Sequence, residues 1–218
     1  MYKPWGYEYT IYRNLNHLSI TLLKINHNKS TSLHCHPNKK TGFILISGKA
    51  LIQLGLWKNT AEYYSAPSKL MIRTGLFHST KAVSKNGVFA LEFESPVDKN
   101  DLVRFKDNYG RETRPYEGKK FTKKIQSNFI TFKKPQLNKN QTYKMGKVKI
   151  SLEVHKNFKK LVNNKNSVIF AILDGKIIDK RGKNVLSYGD IIKTGTLKKL
   201  SEVFKIKKYL TVLSVSKN

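Results

Sequence analysis

The sequence predicts an all-β chain built as two β-barrels in tandem, and three observations predict it. Apolar runs of strand length, such as "FILIS", recur between clusters of Gly, Asn, Ser, Lys and Pro. Helical periodicity is weak along nearly the whole chain. The second half also echoes the first. "FILISGKALIQ" has a counterpart in "FAILDGKIIDK", and "LMIRTGLFH" in "DIIKTGTLK", which pairs Gly48 with Gly175 and Gly75 with Gly195.

Taken in order, "HLSITLLKIN" alternates and stops at "HNKS". "TGFILIS", "KALIQLGLW", "KLMIRTG" and "GVFALEFES" follow, each ended by turn residues. Strands of this length and spacing form an antiparallel sandwich or jelly-roll barrel. From Asp101 to about Gln126 the chain is polar, charged and turn-rich, which is the texture of a connector. The expected plan is a barrel over 1–111, a connector over 112–130 and a second barrel over 131–218. In that second barrel "KVKISLEV", "SVIFAIL", "KIID", "DIIKTG" and "YLTVLSV" read as strands. One helical stretch is expected near "VHKNFKKLVNN", where Val154, Phe158, Leu161 and Val162 could share a face.

Composition narrows the class. Hydrophobic residues are 39% of the 218 and aromatic residues 11%, too many for a disordered chain and enough for a packed core. No apolar stretch approaches the roughly 20 residues that span a bilayer, so no membrane partner is expected. The amino terminus lacks the apolar segment of a secretory signal, and the single cysteine, Cys35, suits a reducing interior. The expected compartment is the cytoplasm.

The net charge of +28 is uneven. Residues 1–115 hold 17 basic and 8 acidic side chains, and residues 116–218 hold 25 and 6. Either this is a solvated lysine-rich surface or it is a functional basic face. A small anionic substrate is served by both. Nucleic acid is placed last among partners, because the basic second half lacks the interleaved aromatics of single-strand binders.

"SLHCHPNKKTGFILISGKA" carries the chemistry. On a strand, His34 and His36 point to one side and Cys35 to the other. His78, in "IRTGLFHS", supplies a third imidazole. Three neutral imidazoles would bind a divalent transition metal (Zn, Mn, Fe, Co or Ni), and the alternative is a set of hydrogen-bonded histidines.

The same two stretches resemble the paired sequence motifs of the cupin superfamily. "KPWGYE" at residues 3–8 and "LEFESPVDKNDLVRFKDNYGR" at 91–111 are similar to the opening and closing segments of type II mannose-6-phosphate isomerase cupins. The resemblance implies a tandem cupin (a bicupin of double-stranded β-helix barrels) whose first barrel holds the metal. It implies His36 and His78 as ligands, with His34 where the family has Gln or His. Thr41 stands where the family usually places a Glu ligand, and Arg73 replaces a proline. Three histidines plus water are therefore the expected ligand set.

Glu92 and Glu94 share a face of their strand. They are either catalytic acid–base groups beside the metal or a solvent-facing pair alternating with Phe93. Lys39 and Lys40 either bind a substrate anion or are solvated, and Lys40, Arg104 and Arg111 are the candidate substrate-binding residues. The alternative for the two arginines is to anchor the connector through Asp107. In the second half Lys198 stands at the position of His78, and Glu153 precedes His155 where His34 precedes His36, so no second metal site is expected. Sugar-phosphate or nucleotide-sugar chemistry of the isomerase kind follows from the resemblance. A three-histidine dioxygenase and a non-catalytic sugar- or anion-binding protein are the alternatives, and a homodimer is an open option for the assembly.

Overall fold

The computed structural model describes residues 1–112 and 129–218. The chain divides into two compact units, Met1–Ser68 with Ile72–Phe132, and Lys69–Met71 with Lys133–Asn218. Most of the expected connector, 112–130, lies outside the described residues. Its last residues belong to the first unit, which therefore runs past residue 111. The Phe132 N–H donates to the Ile11 carbonyl (2.8 Å), and the Phe129 ring packs on Tyr9 with centroids 4.6 Å apart.

The larger sheet contains β1 (Tyr2–Lys3), β2 (Gly6–Asn14), β3 (Leu18–Ile25), β5 (Lys40–Ser47), β8 (Ser68–Ile72) and β10 (Val88–Ser95), and all of these but Lys69–Met71 of β8 belong to the first unit. The smaller contains β4 (Leu33–Cys35), β6 (Lys49–Leu54), β7 (Ala61–Ser65), β9 (His78–Ala82) and β11 (Val103–Lys106). Their orders are β1-β2-β3-β10-β5-β8 and β11-β4-β9-β6-β7. From β3 to β6, and again from β8 to β11, the chain passes from one sheet to the other at every step. That winding is a double-stranded β-helix, or jelly roll. β3, β5 and β10 are largely buried on both faces, which is why "LSITLLKI" and "GFILI" read as nearly unbroken apolar runs.

β11 corrects the sequence reading, which took everything from Asp101 as connector. Val103 pairs with Cys35 and Arg104 with His34, so this strand closes the edge of the smaller sheet. Its residues are mostly exposed, so it lacks the apolar alternation that reveals a strand.

The second unit is also β. β12 (Gln141–Met145), β13 (Val148–His155), β17 (Lys205–Lys217), β14 (Ile169–Ile178) and β15 (Asn184–Leu186) form one antiparallel sheet in that order, and β16 (Ile191–Lys193) pairs with β14. "SVIFAIL" and "KIID" are thus one strand rather than two. The expected helix is present only as a single turn, α1 (Lys159–Val162), preceded by Phe158, while Val154 lies in β13. Leu161 packs with Phe170, Ile172, Leu197 and Val212 in one cluster.

The all-β class holds, and half of the glycine echo holds with it. Gly48 (φ 87°) and Gly175 (φ 85°) both sit where only glycine fits: a Cβ would lie 2.4 Å from the Gly87 oxygen or 2.1 Å from the Tyr209 oxygen. The other pair diverges. Gly75 (φ 73°) turns the chain before β9, whereas Gly195 lies in the first turn of a helix, α2 (Thr194–Val203), which the sequence reading missed. "TLKKLSEV" is rich in helix formers where "LFHSTKAV" is not, but no capping side chain marks its start.

Candidate metal centre

β4 delivers His34 and, one residue past its end, His36; β9 delivers His78 directly opposite His34. The period of two along β4 turns both imidazoles inward, while Cys35 faces the other side and is buried. The potential ligand atoms of the three rings all lie within 4.8 Å of one another, as the sequence reading expected.

The ring nitrogens are sorted by the backbone. Nδ1 of His34 lies 2.9 Å from the Ser32 carbonyl oxygen, that of His36 2.6 Å from Asp101, and that of His78 3.0 Å from Leu76. A carbonyl only accepts, so each Nδ1 carries the proton and donates it. Burial favours the neutral ring in all three. It holds His34 well below the ordinary histidine range, helped by His78 and His36, and lowers His36 to about 4 and His78 to about 3. A neutral ring protonated at Nδ1 leaves a lone pair on Nε2. Those of His36 and His78 are buried without any hydrogen-bond partner. Orphaned buried acceptors are costly in a native protein unless something fills them. Three converging imidazoles, two of them with unpartnered buried Nε2 lone pairs, fit a divalent metal ion, whose identity the donor set leaves open.

Across the barrel, β10 presents Glu92 and Glu94 to the same cavity, so they are not a solvent-facing pair. Their environments differ. Glu94 is buried and accepts from Ser19 Oγ (3.2 Å), from Lys39 Nζ and from Lys99 Nζ (3.3 Å). Burial opposes its charge, but the two lysines prevail and hold it well below the usual carboxylate range. Glu92 lies beside it without such a clamp. Burial, then the charges of Glu94 and Glu8, push it up to about 8. One carboxylate is kept charged and its neighbour kept protonated near neutrality.

The cations depart from expectation. Lys39, not Lys40, lines the cavity; its ammonium also donates to the Asp98 carbonyl at 2.9 Å. Lys40 begins β5 and pairs with Ser95, which carries it out of the lining. Arg104 lines the cavity beside His34, as expected. Arg111 reaches the same wall, and its Nε and Nη2 both donate to Asp107 (2.8 and 2.7 Å), the partner named for its anchoring alternative. Lys3 and Glu8, joined at 3.3 Å, and Lys99 also line the site and were assigned no role from sequence. "KPWGYE" flagged the first two without saying which way they face. Asp101 was missed as well. Its carboxylate accepts the N–H groups of Asn38 and Lys39 (3.1 and 2.9 Å) while its carbonyl orients His36, so one residue fixes the loop and the ligand together.

Thr41, standing for the usual Glu, is buried opposite Glu94 with its hydroxyl unpartnered. The enclosed volume is about 70 Å³, room for an ion's waters and the reacting end of a ligand.

No protein-family model and no curated protein matches this sequence. Solved structures do resemble it over less than half its length. KdgF from Halomonas sp. is 12% identical, covering 44% of this chain and 84% of its own, with a TM-score of 0.40. A Klebsiella pneumoniae protein with a double-stranded β-helix domain is 13% identical, covering 49% and 86%, at 0.42. The capsular polysaccharide assembling protein CapF from Staphylococcus aureus is 15% identical, covering 48% and 33%, at 0.42. None of the three is named as a mannose-6-phosphate isomerase. No helix among the described residues is long and apolar enough to cross a membrane.

Proposed function

We propose that the first unit is a metal-dependent enzyme that moves a proton between neighbouring carbons of a small anionic sugar, a sugar phosphate or nucleotide sugar, in an isomerase-like reaction. The observation that carries this reading is the opposed pair Glu92 and Glu94 facing three neutral imidazoles. The sugar itself follows from the resemblance of residues 3–8 and 91–111 to type II mannose-6-phosphate isomerase cupins.

A bound divalent ion would supply Lewis acidity toward the carbonyl and hydroxyl oxygens of the substrate. His34, His36 and His78 would hold it. Glu92, in the fraction that is ionised as the pH approaches 8, takes the proton from one carbon and returns it to the next. Glu94 stays charged and keeps Lys39 and Lys99 in place along the wall. Arg104 provides positive charge beside His34 for the substrate's anionic group.

The test is to load the purified protein with each candidate metal and follow sugar phosphates in deuterated water. Deuterium entering carbon-bound positions supports the reading. A sugar phosphate that binds the metal-loaded protein and exchanges nothing sinks it, and leaves the non-catalytic sugar-binding alternative. A three-histidine dioxygenase is the second reading, favoured by one observation: among the described residues, no carboxylate joins the three-histidine cluster. Oxygen uptake by the iron-loaded protein would select it.

A further inference from the structure

The outer side of the smaller sheet carries a groove separate from the metal centre. Leu33 precedes His34 on β4 and so faces away from the imidazoles. With Leu51 and Leu56 it gives the groove an apolar floor. The groove encloses about 540 Å³, within the range of roughly 300–1,000 Å³ typical of small-molecule sites. Lys58, Lys81 and Lys106 stand around it, and no Asp or Glu among the described residues lines it.

One aromatic ring lines it. Phe105 is 57% exposed, yet its ring is held edge-on against Phe77 with centroids 5.7 Å apart. A fixed, exposed ring among lysines is a stacking platform for a flat heterocycle. Two amides complete the wall. Gln53 donates one N–H to the Gly55 carbonyl (3.0 Å) and Asn108 donates one to Ser30 Oγ (3.2 Å). Each amide has a carbonyl oxygen and a second N–H besides, the mixed donor–acceptor set that reads the edge of a base.

We propose that this groove is a second ligand site, for a nucleoside phosphate: the base on Phe105 between the amides, the phosphates on Lys58, Lys81 and Lys106. Charge selects this occupant over a second copy of the chain, since two bodies of net +28 repel one another. A single lining aromatic in a bounded groove suits one nucleotide rather than a strand, which needs successive stacking rings. The site is independent of the metal centre.

The test is calorimetric titration of the full chain with UDP, ATP and inorganic pyrophosphate, alongside decathymidylate. A nucleotide should bind at about 0.1 mM or tighter, and at least tenfold tighter than pyrophosphate. Phe105→Ala should weaken the nucleotide on the order of tenfold while leaving pyrophosphate unchanged, and Lys81→Glu should weaken both. Both residues are on the surface, so the variants keep the fold. The combined His34→Ala, His36→Ala, His78→Ala protein should bind the nucleotide as the parent does. Loss of binding in that variant would assign the nucleotide to the metal centre and overturn the proposal. So would equal affinity for UDP and pyrophosphate, indifference to both groove variants, or a decathymidylate affinity that exceeds the nucleotide's and falls with Phe105→Ala.

Discussion

At the scale of single residues, the opposed carboxylates make the sharpest expectations. Glu92→Gln imitates the protonated form the fold already favours, so it should keep the fold, be more stable than the parent near neutral pH, where the parent must protonate this carboxyl on folding, and lower turnover on the order of a hundredfold or more. Glu94→Gln should instead unfold more easily, by about 3 kcal/mol in a urea titration, because Lys39 would be buried with its charge unmatched. The pH dependence of the metal-free protein separates them too. Glu94 titrates below its ordinary 4.5, so the stability it contributes is present above that pH and is lost as the pH falls below it. Glu92 is raised from 4.5 to about 8, so its contribution is present below pH 4.5 and is lost as the pH rises toward 8. The melting temperature of Glu92→Gln should lack that second slope. Removing one metal ligand, as in His78→Ala, should abolish stoichiometric metal by elemental analysis, and unchanged metal content would remove the three-histidine assignment.

At the scale of elements, legibility followed burial. β3, β5 and β10 were visible as runs because they are buried, and His34, His36 and His78 because their spacing follows a strand's period. The edge strand β11 was invisible for the opposite reason, and α2 for lack of a cap. The roles of Lys39, Lys99 and Asp101 could not be read either. Each depends on a partner more than fifty residues away or, for Lys99, on the direction of a loop side chain. Gly48 and Gly175 were legible as a pair, and each should refuse a side chain. Gly175→Ala places a methyl against the Tyr209 carbonyl and should lower stability by about 2 kcal/mol or more, read as a shift in urea midpoint.

At the scale of the whole molecule, the described residues of the two β units hold one candidate metal centre, and the chain carries a large excess of positive charge. A divalent ion that binds only the folded first unit should raise the melting of that unit and leave the second where it was. Scanning calorimetry with and without metal reads this directly, and a uniform shift of a single transition would show that the units unfold together. Self-repulsion at net +28 should also make the protein salt-sensitive. Raising sodium chloride from about 0.05 to 0.5 M should raise the melting midpoint on the order of 5 °C, and a fall would mean that exposed ion pairs outweigh repulsion.

The three Nδ1–carbonyl bonds bear on how such a barrel can diverge. Main-chain oxygens of Ser32, Leu76 and Asp101 aim the imidazoles, and a carbonyl survives every amino-acid replacement at its own position. Mutational drift at Ser32 and Leu76 therefore leaves those two imidazoles aimed as they are, whereas Asp101 also holds the loop after His36 through its carboxylate. The proton affinities of Glu92 and Glu94 depend instead on the side chains of Lys39, Lys99, Ser19 and Glu8, each of which a single codon change can replace. Inheritance is thus divided between a cluster that the backbone conserves and a reactivity that side chains leave free to vary. Descendants of this barrel could exchange one reaction for another while still holding the same ion.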